Sequence, residues 1–220
     1  MSKETAHQLG TPISSLLAWV ELLKTRESDN TLVNEVSKDV NRLEKITERF
    51  SRIGSAPILK EANICRVLLN ASDYLRTRTS SRVNFEQEFS DNEEIKAPVN
   101  VELFEWVIEN LWKNALDAMN NIGEIAIAVS QNEDSVFIDL TDTGKGIPKS
   151  KFKNVFKPGY TTKLRGWGLG LSLTKRIIED YHKGKIFIKY SEPGRGTTFR
   201  IALRKVEKNS LKTIILQVAK

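Results

Sequence analysis

Cysteine is nearly absent from this 220-residue chain, and a single one, Cys65, excludes an intramolecular disulfide framework. Histidine is almost as scarce. There are two, and neither sits in a Cys/His group with metal-ligand spacing, which removes the usual structural zinc sites. No run approaches the roughly 18 consecutive apolar residues that a membrane span needs. The start, Met1-Ser2-Lys3-Glu4-Thr5, lacks the apolar core of a signal peptide. A Walker phosphate motif is missing too. These gaps lead to the expectation of a soluble chain in a reducing, cytoplasmic setting.

What is present fits a globular protein of one or two domains, with 40% hydrophobic and 28% charged residues. A net charge of +6 permits an anionic partner. Basic and acidic residues alternate almost everywhere and are not gathered on one face, so no nucleic-acid partner is expected.

Periodicity divides the chain. Leu9, Ile13, Leu16, Val20 and Leu23 recur at 4-3-4-3 spacing, one stripe on an α-helix, and Leu17 and Leu22 widen it. After Glu27-Ser28-Asp29-Asn30 a second stripe runs through Val33, Val36, Val40, Leu43, Ile46, Phe50 and Ile53. Two such helices form a hairpin with too little core of its own, so a second copy is expected to complete a dimeric four-helix bundle. Packing of both stripes on the rest of the same chain is the alternative. Gly54-Ser55-Ala56-Pro57 breaks the pattern. Beyond it, helices are expected at 63–77 and 101–119, and strands at 82–89, 123–130, 135–141, 185–190 and 197–203. The fold class is therefore α+β, with an N-terminal helical hairpin in 1–56, an α/β sandwich with a mixed or antiparallel sheet in 57–205, and a tail in 206–220.

Four signals follow one another in the second domain. Asn110 and Asn114 lie one turn apart on a helix, away from apolar Leu111 and Ala115, where carboxamide oxygens suit a hard cation such as Mg²⁺. A solvated polar face would look the same. Asp142-Thr143-Gly144-Lys145-Gly146-Ile147 ends an apolar strand with glycines that let a backbone come close to a ligand. Gly166-Trp167-Gly168-Leu169-Gly170-Leu171 follows a basic loop and opens a helix, a setting suited to phosphate. It lacks the preceding strand of a dinucleotide fingerprint. Gly194-Arg195-Gly196-Thr197-Thr198-Phe199 is a glycine turn into a strand.

In this order the four resemble the ATP-binding domain shared by histidine kinases, gyrases, a class of heat-shock chaperones and MutL, over residues 63–205. The resemblance implies ATP and Mg²⁺ as cofactors, with Asn114 as metal ligand, Asn110 along the phosphates and Asp142 accepting from the adenine amino group. It extends the cofactor-binding set to Lys113, Asp117, Gly144, Gly146, Ile147, Gly166, Gly168, Leu169, Gly170, Leu171 and Thr198. The segment from Phe152 through Phe156 to Tyr160, Thr161, Thr162 and Lys163 resembles the phenylalanine box and the start of a mobile ATP lid, with Lys163 and Arg165 as phosphate neutralisers.

Two features favour a histidine kinase over a hydrolytic ATPase. Gyrase-like members carry a water-activating Glu where this chain has Asn110. And His7-Gln8-Leu9-Gly10-Thr11-Pro12 resembles the phosphoacceptor box, commonly H-E-L-R-T-P. His7 lies two residues, about 200°, from Leu9 on a helix and so faces away from the apolar stripe. Its neutral imidazole can attack as a nucleophile. Pro12 is expected to bend the helix. By resemblance His7, Gln8 and Thr11 form the catalytic set, with Thr11 orienting water in dephosphorylation of a partner. Gln8 and Gly10 depart from the pattern, and a glutamine can orient His7 but not take its proton. The expected partners are a response regulator receiver domain and a second copy of the chain, with membrane contact only through a sensor region outside it. A nucleotide-binding signalling scaffold and a hydrolytic ATPase are the rival readings.

Overall fold

The computed structural model describes residues 16, 20–21, 36–37, 40, 57–90, 93–162 and 168–205. The chain divides into two compact units, Met1–Pro57 and Ile58–Lys220. In the first, the described residues up to Val40 are helical, with Val20 and Val40 buried and Leu16 and Val36 exposed. His7, Gln8, Thr11 and the expected bend at Pro12 lie outside the described residues, as does the 206–220 tail.

The second unit runs β1 (Lys60–Asn63), α1 (Ile64–Arg76), β2 (Val83–Glu88), β3 (Lys96–Val99), α2 (Val101–Ala118), β4 (Gly123–Gln131), β5 (Ser135–Asp142), a 3₁₀ turn (Lys149–Lys151), α3 (Gly170–Arg176) with a π-helical extension (Ile177–Tyr181), β6 (Lys185–Glu192) and β7 (Gly196–Arg204). Asparagines start the two longer helices. The Asn63 side chain accepts from the Arg66 N–H and the Asn100 side chain from the Leu103 N–H, each satisfying a donor that the helix itself leaves open. Asn120 and Asn121, both at positive φ, turn the chain out of α2, a conformation that asparagine tolerates better than most residues.

The main sheet has the order β2-β4-β5-β7-β6, with β2 parallel to β4 and every other pair antiparallel. This is the mixed sheet of the expected α+β domain. The two expected hairpins, β4–β5 and β6–β7, form. The small β1–β3 pair was not legible, because Lys60-Glu61-Ala62-Asn63 has no apolar alternation and β3 contains Pro98. Ile125, Ile138, Leu140 and Ile201 on one sheet face pack with Phe104, Ile108 and Leu111 of α2 into a single core. Trp112 extends it toward the edge, its ring tilted against Phe85 with centroids 5.1 Å apart and its Nε1–H donating to the Thr79 hydroxyl.

His182 joins the two helices that flank this core. It is 3% exposed, its Nδ1 lies 2.9 Å from the Ile177 carbonyl, and its Nε2 lies 3.1 Å from the Asn100 N–H. A carbonyl can only accept and an N–H only donate, so the ring is neutral with the proton on Nδ1. Burial holds its pKa below the usual histidine value, against the opposing pull of the Ile177 carbonyl. The unfolded chain therefore takes up a proton before the folded one, and stability falls as pH drops below about 6.5 toward the lowered folded value. His182→Gln is expected to melt well below wild type at pH 7.5, with the gap narrowing by pH 5. A gap that stays constant across that range would contradict the neutral ring.

Candidate functional site

The register of three strands brings three polar side chains to one end of the helix-covered sheet face. Asp142 ends β5 opposite Thr197 of β7, and Thr197 lies opposite Ser191 of β6. Asp142 is 3% exposed. Its Oδ1 accepts the Gly144 N–H at 2.8 Å, and the Thr197 N–H also donates to the carboxylate. The hydroxyls of Ser191 and Thr197 are 2.9 Å apart, and Ser191 Oγ accepts the Ile147 N–H at 2.7 Å. No cation pairs with Asp142 among the described residues. Burial accordingly pushes its carboxyl up to about 6, with the two backbone donors pulling partly back. A buried acceptor held by backbone alone is suited to a neutral donor on a ligand.

The loop after Asp142 is shaped by the protein's own packing. A Cβ on Gly144 would stand 2.8 Å from the Ala118 carbonyl oxygen, and one on Gly146, at φ 70, would stand 2.0 Å from that of Glu192. These glycines thus let the loop lie against the ends of α2 and β6. The Lys145 ammonium donates to the Thr162 hydroxyl at 3.3 Å, which ties this loop to the following segment. Thr161 and Thr162 are exposed, whereas Tyr160, Ile147 and Leu171 pack partly on the core. Phe152 and Phe156 do likewise, and Phe156 meets Phe199 edge-on at 6.2 Å.

Asn110 and Asn114 are half-buried on α2, while Lys113 and Asp117 are exposed and Lys113 pairs with Glu109. Asn110 faces the start of α3, where its Oδ1 lies 3.5 Å from the point a Gly170 Cβ would occupy. Its Nδ2 is buried without a partner. Gly168 accepts the Gly159 N–H at 3.1 Å, and Leu169 accepts the Leu173 N–H and the Ser172 hydroxyl. Lys163, Arg165 and Gly166 lie outside the described residues.

One expected residue is displaced. Strand alternation turns Thr198 to the far sheet face, where its hydroxyl meets that of Thr141 at 3.0 Å. Thr197 is the threonine beside Asp142. In the sequence the two are neighbours of equal chemistry, and only the β5–β7 register separates them.

Among the described residues no cluster of three or more His, Cys, Asp or Glu side chains is placed to hold a metal. The donor set is of another kind, neutral carboxamides on one helix face with an unsatisfied amide at Asn110. That set fits Mg²⁺ only where a phosphorylated ligand provides further oxygens.

Residues 100–207 match the family of histidine kinase-, DNA gyrase B- and HSP90-like ATPases. The chain carries a histidine kinase ATP-binding domain. It is 32% identical over 206 residues to sporulation kinase E of Bacillus subtilis and 33% identical over 210 residues to the signal transduction histidine-protein kinase AtoS of Escherichia coli. Each match takes in 90% of this chain but only 27% and 33% of the relative, so the chain spans about a third of those proteins or less. The catalytic domain of histidine kinase ThkA superposes with a TM-score of 0.57 at 28% identity, covering 67% of this chain and 95% of that one. ThkA in complex with the response regulator protein TrrA superposes at 0.65 with 25% identity, covering 92% of this chain and 60% of that one.

Within this domain the raised carboxyl of Asp142 has a stability consequence. Its folded pKa lies above the unfolded one, so its contribution is fully present only below the unfolded value of 3.8 and is lost as pH rises through about 6. Ionised Asp142 therefore costs the fold about 2–3 kcal/mol at neutral pH. Asp142→Asn keeps an oxygen for Gly144 and is expected to melt higher than wild type at pH 7.5, with the advantage fading by pH 5. A lower melting temperature at pH 7.5 would contradict this.

Proposed function

We propose that this chain is the catalytic core of a sensor histidine kinase, which transfers the γ-phosphoryl group of ATP to His7 and then to an aspartate of a response regulator receiver domain. The observation that carries the reading is the buried, cation-free Asp142 beside Thr197, placed in the same domain as the Asn110–Asn114 face. Asp142 would accept from the adenine amino group, and the Thr197 hydroxyl and backbone would shape the same pocket. Asn114 would hold Mg²⁺, and Asn110 would line the phosphates. The ion would supply neutralisation of the triphosphate charge when bound. Lys163 and Arg165 would add positive charge from the lid segment.

Asn110 cannot take a proton from water, which favours transfer to a side chain over hydrolysis. An uncharged imidazole at His7 would attack in line through its unprotonated nitrogen, with ADP leaving as the N–P bond forms and the proton of the other ring nitrogen passing to water. Gln8 can orient the other ring nitrogen but not accept its proton. Residues 1–56 would form the dimerisation and phosphotransfer hairpin, 57–205 the ATP-binding domain and 206–220 a tail. Exposure of Leu16 and Val36, both on the apolar stripes, supports a homodimer that covers them. Among the described residues no helix is long and apolar enough to cross a membrane.

Incubation with γ-labelled ATP is expected to give a label that is acid-labile, alkali-stable and absent in His7→Gln. A label that persists in His7→Gln would move the acceptor elsewhere. Nucleotide binding with no label would favour the scaffold reading, to which Gln8 and Gly10 point. If Asp142 reads the adenine amino group, GTP is expected to bind at least tenfold more weakly than ATP, because its ring carbonyl sets an acceptor against an acceptor. Equal affinities would reject that role.

A further inference from the structure

Thr174 lies one turn after Gly170 on α3 and is completely buried, yet its hydroxyl has no hydrogen-bond partner. An orphaned buried hydroxyl costs a fold of the order of a hydrogen bond, and few are tolerated without use. A threonine inside a helix commonly turns its hydroxyl back to the carbonyl four residues earlier. Here the Gly170 carbonyl is not used in that way.

α3 packs against α2, and Asn110 is the α2 residue that faces Gly170. Its carboxamide oxygen end lies toward Gly170, and its nitrogen end is the buried group without a partner. Gly170 and Thr174 occupy the same face of α3, being four residues apart. Two helices that pack together thus carry an unused buried donor, on α2, and an unused buried hydroxyl, on α3. Their chemistries are complementary, since a carboxamide nitrogen only donates and a hydroxyl accepts.

The geometry points to Thr174 as a positioning residue for Asn110, its hydroxyl accepting from Asn110 Nδ2, directly or through one buried water, when nucleotide occupies the site. A carboxamide can present either end outward. An acceptor held at the nitrogen leaves only the oxygen free, and only the oxygen suits a cation or a water among phosphates. Thr174 would thus set the polarity of Asn110 without touching the ligand. This inference rests on the ATP-binding reading of the Asn110 face.

Two substitutions separate hydroxyl from packing. Thr174→Val keeps the shape and removes the hydroxyl, whereas Thr174→Ser keeps the hydroxyl and removes the methyl. The measurements are the ATP·Mg²⁺ dissociation constant and the nucleotide-free melting temperature of the full 220-residue chain. Thr174→Val is expected to melt at or above wild type but to bind ATP·Mg²⁺ about tenfold more weakly. Thr174→Ser is expected to melt lower and to bind within about twofold of wild type. Wild-type affinity in Thr174→Val, or equal loss in both variants, would overturn the role. If the wild-type chain itself binds no ATP in the same titration, the reading of the site fails, and the role of Thr174 fails with it.

Discussion

The antiparallel pairing of β5 with β7 is the constraint on which the rest of the site depends. It sets Asp142 opposite Thr197, and the neighbouring β6 sets Ser191 opposite Thr197, so three polar groups from distant parts of the chain meet on one face. A shift of one residue would turn every one of them over. Asp142 would then face the side where Asp139 is held by Arg200 and Lys189. The two carboxylates on β5 show what the register decides. One is neutralised by two cations on the open face, and the other is buried with backbone donors alone.

α2 carries core and site on the same cylinder. Phe104, Ile108, Leu111, Trp112 and Ala115 fill the interior, while Asn110 and Asn114 sit between them in sequence and to one side in space. Its start is doubly secured, by the Asn100 cap and by the bond from Asn100 N–H to His182. Its end receives the loop after Asp142, through the Lys145 N–H on the Ala118 carbonyl. Stability and ligand geometry are thus coupled, because a helix held at both ends presents its carboxamides at a fixed height above the sheet.

The domain gives up stability at a few buried polar groups. Asp142 is a buried carboxylate without a counter-ion, and Asn110 and Thr174 each leave a buried polar atom unsatisfied. Elsewhere the buried polar groups are largely paired, as in the Ser191–Thr197 bond and the two bonds of His182. Strain of this kind is expected where a fold keeps groups ready for a ligand.

Much of this was determined by the sequence alone. The spacing of apolar residues placed α1, α2 and the two hairpins, since helix and strand periods are local properties of the chain. The four boxes identified the domain and its ligand class because each is a short run whose chemistry is readable in order. Tertiary structure decided what depends on pairing between distant segments. It showed that Thr197 and not Thr198 stands beside Asp142, that Gly144 and Gly146 lie close against Ala118 and Glu192, and that His182 pins α2 to the end of α3. It also exposed the unpaired groups of Asn110 and Thr174. None of these follows from local pattern, because register and close contact are fixed only when elements far apart in the chain are packed together.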